Sequence, residues 1–203
     1  MGKGIGFALL MVLVFLVVFC VVGGIYTAIT YNGLVKLDQG VQAQWAQVEN
    51  VYQRRADLVP NLVETVKGAA AFEQDTFTAV TEARAKVGQI NTQGIANDPE
   101  AFAKFQQAQD SLSSALSRLL VVVERYPDLK ATQNFRDLQA QLEGTENRIT
   151  VERMRFNETA QAFNTKRLSF PTTLVAGFFG SRFNEKAYFK AQPGAETAPK
   201  VQF

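Results

Sequence analysis

The 203-residue chain contains no histidine and a single cysteine. Without imidazole it has no Ser-His or Cys-His nucleophile pair, no Glu-x-x-His iron motif and no histidine ligand for a metal. With Cys20 as the only thiol, nothing further along the chain depends on the redox compartment. Charge of one sign is also lacking. Lys and Arg number 21 against 19 Asp and Glu, a net +2 that supplies no broad basic field for nucleic acid and no acidic tail. No Gly-rich loop carrying Lys-Ser or Lys-Thr opens a helical pattern, which removes the usual phosphate cradle. Alternating strand signals of useful length and internal repeats are missing too.

What is present begins with Ile5 to Ile29, IGFALLMVLVFLVVFCVVGGIYTAI, an uncharged run in which only Gly6, Gly23, Gly24 and Thr27 are not hydrophobic. At ~1.5 Å per helical residue this run crosses a ~30 Å hydrocarbon core with some tilt. A cleaved signal peptide has an apolar region of roughly 7–15 residues ending at a small-x-small site. No convincing site of that kind follows. Val18 and Phe19 precede Cys20 where a lipoprotein signal needs small residues, so Cys20 reads as an apolar thiol of the span. Residues 1–30 are therefore expected to form a single-pass transmembrane anchor. Lys3 and the amino terminus, set against Lys36 and Asp38, tilt the orientation towards N-inside and place the remaining residues outside the cytoplasm.

Beyond the anchor every apolar pattern has a helical period. Leu34, Leu37, Val41, Trp45, Val48, Tyr52, Val59, Leu62 and Val66 recur at three and four, with one turn skipped at Arg55. Phe72, Phe77, Val80, Ala83 and Val87 continue the pattern. Gly88, Gly94, Asn97, Asp98 and Pro99 then mark a connection. Asp98 suits an N-cap with Pro99 at the first helical position, and Phe102, Phe105, Leu112, Leu116, Leu119 and Val123 form the next stripe. Tyr126-Pro127 ends it. Phe135, Leu138, Leu142, Thr145, Ile149, Phe156, Ala160 and Phe163 make the last stripe, stopped by Ser169-Phe170-Pro171. The expected fold is all-α: a membrane helix followed by an elongated antiparallel bundle of three to four helices over 31–190. Its long helices lie near 31–88, 99–126 and 131–168, the first broken at Pro60 or Gly68. Residues 191–203 read as a flexible polar tail.

Three segments carry candidate chemistry. In RRADLVPNL, Arg54 to Leu62, Pro60 removes a backbone donor from a helix interior at a cost of roughly 3 kcal/mol, which predicts a kink or break. Asp57 and Asn61 are placed to satisfy the freed groups, and Arg54 and Asp57 share a face at i,i+3. In EGTENR, Glu143 and Glu146 also share a face, with Asn147 and Arg148 beside them. As metal ligands or an acid–base pair together with Asp57, they would make a carboxylate- or metal-dependent hydrolase. An interhelical polar network built from Arg54, Arg55, Asp57, Asn61 and the EGTENR residues accounts for the same composition and is the preferred reading. DSLSSALS, Asp110 to Ser117, lacks a base and reads as small side chains at a close helix contact. In the third segment, Ser169 to Lys190, Phe170, Phe178, Phe179, Phe183, Tyr188 and Phe189 mix with Arg182, Lys186 and Lys190. Such interleaving suits a lipid interface or a partner surface, and packing back over the open end of the bundle is the preferred alternative.

At these residues the chain resembles the LemA family of bacterial membrane proteins. The matching pieces are YNGLVKLDQGVQAQWAQVENVYQRRADLVPNLVETVKG, ERYPDLKATQNFRDLQAQLEGTENRI and FNETAQAFN followed by FP and AGFFG. The resemblance implies an N-terminal membrane helix, an elongated helical bundle and no established activity; one branch is associated with magnetosome membranes. Arg54, Arg55, Asp57, Pro60, Asn61, Glu146, Asn147 and Arg148 fit the family pattern. Ala69 and Phe72 depart from it where relatives often carry Tyr and His, and Phe156 stands where Tyr is common, so no role of that histidine transfers.

These observations lead to a non-catalytic, cofactor-free and metal-free membrane scaffold or interaction module. Its expected partners are the bilayer and either further copies of itself or other membrane proteins. A membrane-organising protein that uses its aromatic and cationic C-terminal segment is the competing reading, ahead of the hydrolase.

Overall fold

A computed structural model describes residues 2–68 and 73–190, the side chains of 2–5 apart. The described residues are helical and include no strand. Six α-helices follow in order: α1 Gly2–Lys67, α2 Gln74–Gly88, α3 Pro99–Val123, α4 Pro127–Lys130, α5 Gln133–Leu168 and α6 Thr172–Phe178. Short 3-10 turns at Ile95–Asn97 and Gly180–Phe183 precede α3 and follow α6. The expected polar tail at 191–203, together with Ala69 and Phe72, lies outside the described residues.

Sequence accounts for most of these boundaries. Asp98 Oδ1 accepts from the backbone N–H groups of Glu100 and Ala101, both at 3.0 Å, while Pro99 takes the first helical position. This satisfies two of the orphan donors that every helix start leaves open. Gly94 precedes the first 3-10 turn at φ +71°, a conformation glycine adopts without a Cβ penalty. Pro127 again occupies the first position of a helix, the short α4. The helix drawn over 31–88 is two elements. It ends at Lys67, and α2 starts at Gln74. Of the two breakpoints expected, Gly68 is the one used; α1 passes through Pro60 without interruption.

The contacts divide the chain into two compact units, with α1 and α5 contributing residues to both. In the first, residues 1–40 and 162–185, the side chains of Phe7 through Ile29 lie on the surface, and Thr30 is the first buried residue of α1. Leu34, Phe163, Thr172, Val175, Ala176 and Phe183 form its interior. Tyr31 packs its ring 4.7 Å from Phe179 and 5.4 Å from Phe183.

The second unit, residues 41–161 and 186–203, contains an up-down-up-down arrangement of α1, α2, α3 and α5. Val59, Leu62, Val63 and Val66 of α1 meet Phe77, Val80 and Ala83 of α2. Leu112, Ala115, Leu116, Leu119 and Val123 of α3, Leu129 of α4, and Phe135 and Leu142 of α5 complete this aliphatic core. Each fully buried Val, Leu or Phe contributes roughly 1.5–3 kcal/mol. A second cluster is aromatic: Trp45 lies 5.2–5.7 Å from Phe102, Phe105 and Phe156, and stacks at 6.1 Å on Phe189.

Candidate functional site

Three polar residues of the second unit, Gln109, Ser113 and Glu146, meet at Arg55. Its side chain is 1% exposed, at a position where the spacing of the α1 stripe calls for an apolar residue. Arg55 Nη1 donates to Glu146 Oε1 of α5 at 2.8 Å and to Ser113 Oγ of α3 at 2.6 Å. Nη2 donates to Gln109 of α3, at 2.5 Å to the side-chain oxygen and 3.2 Å to the backbone carbonyl. One guanidinium therefore joins three helices. A buried cation is tolerated only when a counter-charge and hydrogen bonds replace its hydration, and this site provides both. Arg55 Nε has no oxygen partner, and the guanidinium carbon lies 5.1 Å from the centroid of the Tyr52 ring. Burial pushes the Tyr52 phenol above its ordinary pKa; the nearby positive charges of Arg153 and Arg55 oppose that shift.

This node marks a change of chemistry along all three helices. On α1 and α3 the aromatics Trp45, Tyr52, Phe102 and Phe105 come before it in sequence, with Val41 before and Val48 between them on α1, and aliphatic residues follow it; on α5, Phe135 and Leu142 come before Glu146 and Ile149 and Phe156 after. That reversal reflects the antiparallel course of α5. Gln44 Nε2 donates to Glu152 Oε2 at 2.7 Å, adding a second α1–α5 polar link on the aromatic side.

The other residues anticipated from sequence do not gather here. Arg54, Asp57, Asn61, Glu143, Asn147 and Arg148 are exposed. Asp57 accepts from Gln53 at 2.8 Å on its own helix, where a pair with Arg54 was expected, and Glu143 accepts from Gln139 at 3.0 Å. Glu143, Glu146 and Asn147 line a shallow groove with Ser113, while Asp57 is not among its walls. Among the described residues no group of three His, Cys, Asp or Glu side chains is placed to hold a metal ion. The vacancy left by Pro60 is also filled differently from expectation. Proline supplies no N–H to the carbonyl of Ala56, four residues earlier. Neither Asp57 nor Asn61 takes that oxygen; Arg84 Nε of α2 donates to it at 2.9 Å. A long side chain from a neighbouring helix reaches a backbone acceptor that local residues, pointing outward, cannot.

The C-terminal aromatic and cationic segment separates into two kinds of residue. Phe183, Lys186 and Phe189 are buried. Lys186 Nζ donates to Asn97 Oδ1. Asn157 holds the backbone of Phe189 at both sides, donating to its carbonyl at 3.0 Å and accepting from its N–H at 2.9 Å. Arg153 donates to Lys190 O at 3.0 Å and lies over the Phe189 ring at 4.7 Å. Residues 186–190 thus form a strap on the aromatic cluster. Phe170 and Phe178, by contrast, are 80% and 84% exposed, Arg182 and Tyr188 are exposed, and Phe179 is half-buried against Tyr31.

Gln109, Arg84 and Asn157 were not singled out from sequence, and Ser113 was marked only as one of the small residues of Asp110 to Ser117 at a close helix contact. Gln109 had a signal: it fills the one missing step in the α3 stripe between Phe105 and Leu112, as Arg55 fills the missing step in α1. A polar residue at a core position on each of two helices is the pattern of a shared buried bond. Arg84 leaves no such mark, because it lies off the apolar stripe of its helix, and Ser113, also off its stripe, carries no sign of a bond to Arg55 beyond its small size.

Magnetosome protein MamQ of Magnetospirillum gryphiswaldense is 27% identical over 184 aligned residues, covering 82% of this chain and 67% of that protein. Magnetosome protein MamQ 2 of Paramagnetospirillum magneticum is 26% identical with the same coverage. Protein LemA of Metamycoplasma hominis is 25% identical over 145 residues, covering 71% of this chain and 63% of that protein. The LemA family profile matches residues 44–203, most of the chain and the whole of the Arg55 node with it. With its exposed apolar helix at the N-terminal end, the chain is a membrane protein belonging to the LemA family.

Proposed function

We propose that this protein is a membrane-anchored, non-catalytic helical scaffold or interaction module that assembles with further copies of itself or with other membrane proteins. The observation that carries the reading is the Arg55 node. The most deeply buried charge among the polar residues is bonded to Glu146, Ser113 and Gln109, so the group best suited to hold an anionic substrate is already used to fix three helices in register. The anchor spans the bilayer once with its amino terminus inside, leaving the bundle outside the cytoplasm and its exposed polar faces available for assembly. No metal, cofactor or nucleic acid enters this function. The test is purification from native membranes in mild detergent and in nanodiscs, followed by native mass measurement and identification of what copurifies. Oligomers or a defined membrane partner are expected. A strictly monomeric species without a partner would overturn the reading.

A second reading, membrane organisation through the C-terminal aromatic residues, is supported by the exposure of Phe170 and Phe178.

A further inference from the structure

In the first unit, α6 is fixed to the part of α1 where the anchor ends. The Tyr26 phenol lies beside the side chains of Thr30 and Thr172, and the Tyr31 ring packs on Phe179. Thr172, Val175 and Ala176 face inward. The opposite side carries Leu174 and Phe178, spaced by four and 65% and 84% exposed; Phe170, 80% exposed, stands in the turn that precedes α6, and the exposed Leu168 ends α5. Beyond the anchor, Phe170 and Phe178 are the only phenylalanines among the described residues exposed to this degree. Leaving such an apolar ridge in water is unfavourable. What covers it follows from its level along α1. The uncharged surface of α1 stays exposed to Ile29, with Thr27 alone half-buried, and protein packing begins at Thr30. The ridge is therefore tied to α1 at the residues where lipid gives way to protein. Tyr26 and Tyr31 suit that level, since tyrosines favour the membrane–water interface. Lys166 and Arg182, both exposed, lie in the same unit and suit lipid phosphates.

We propose that the α5–α6 corner is a second membrane contact, in which Phe170, Leu174 and Phe178 insert into the interfacial region of the same leaflet from which α1 emerges. The corner acts as a foot beside the anchor and restrains the tilt of α1. This proposal rests on the membrane-anchored reading and deepens it by naming the bilayer surface as a partner of α6.

The test is spin labelling of the full chain in nanodiscs, in a Cys20→Ser background, with single cysteines replacing Phe178, Leu174, Leu16 or Gln39. All four sites are exposed, so the labels need no repacking, and circular dichroism checks the fold of each variant. Leu16 reports the anchor. Gln39 lies ten residues beyond Ile29, about 15 Å along the helix. Labels at 178 and 174 are expected to collide with oxygen several-fold more often, relative to a water-soluble nickel chelate, than the label at 39. Water-like values at 178 and 174 with a lipid-like value at 16 would overturn the foot and leave the anchor standing. Shielding from both relaxers with spin–spin broadening would identify a second copy as the occupant and overturn it equally. A water-like label at 16 would remove the anchor and this proposal together.

Discussion

The two sides of the Arg55 node use different means to hold the same helices. On the aliphatic side α1, α2, α3 and α5 interdigitate Val, Leu and Ala with Phe77 and Phe135, and α2 supplies the fourth wall. On the aromatic side, Trp45, Phe102, Phe105 and Phe156 are joined by Phe189 from the strap at 186–190. A helix presents a repeating surface that small aliphatic residues mesh with, whereas an extended strap lacks that repeat and needs large rings plus directed hydrogen bonds from Asn157 and Arg153. Within the second unit, the strap at 186–190 is thus packed on the aromatic side alone.

The largest test of this contrast removes one buried side chain from each side. Phe156→Ala and Leu119→Ala, both fully buried, are each expected to cost about 3–5 kcal/mol, measured by denaturation of the full chain in detergent. Hydrogen exchange should separate them. Phe156→Ala is expected to release the amide of Phe189, while Leu119→Ala leaves it protected and exposes α2 first. Equal loss at both places in both variants would mean that the two clusters are one cooperative core.

At the node, Glu146→Ala strands the Arg55 cation without its counter-charge. Breaking a buried pair costs roughly 3–5 kcal/mol, and the 40% exposure of Glu146 reduces this to about 2–3. Arg55→Met removes the buried charge instead and lets Glu146 hydrate, so about 1–2 kcal/mol is expected from the unpaired Gln109 and Ser113. An Arg55→Met variant less stable than Glu146→Ala would refute the desolvation account. An unchanged melting temperature and oligomer distribution in Glu146→Ala would remove the structural assignment itself.

A smaller effect tests how α2 is held on the aliphatic side. Arg84→Ala should cost about 1 kcal/mol by leaving the Ala56 carbonyl without its donor. In a Pro60→Ala background the helix supplies its own N–H to that carbonyl. The cost of losing Arg84 is then expected to fall towards zero, giving a double-mutant coupling of similar size. Additive effects would show that Arg84 does not answer for the proline.

The sequence made the helices legible because each stripe repeats at three and four, and the caps legible because Asp98-Pro99 is a local signal. The node was half legible. Arg55 and Gln109 interrupt apolar stripes, so their burial follows from periodicity, whereas the choice of Glu146 over Glu143 depends on helix rotation, which places one carboxylate against Arg55 and turns the other to solvent. Arg84 was illegible because a backbone carbonyl has no sequence identity. The aromatic segment misled as a single block: composition alone does not distinguish Phe189, clasped by Asn157, from Phe178, turned outward.

The smallest expected effect lies at Tyr52, on the aromatic side of the node. Burial is the largest cause of its raised pKa, so the folded state holds the phenol proton more tightly than the unfolded chain does. The contribution is fully present below the unfolded value near ~10 and is lost as pH rises from there through the folded value. Tyr52→Phe carries no proton and should be less steep over that window by at most ~1.4 kcal/mol per pH unit. Its ring still faces Phe105 at 5.2 Å, so neutral stability changes little. Parallel stability profiles for the two proteins above pH ~10 would mean that Tyr52 is hydrated in the folded state and that the aromatic side is open to solvent at the node.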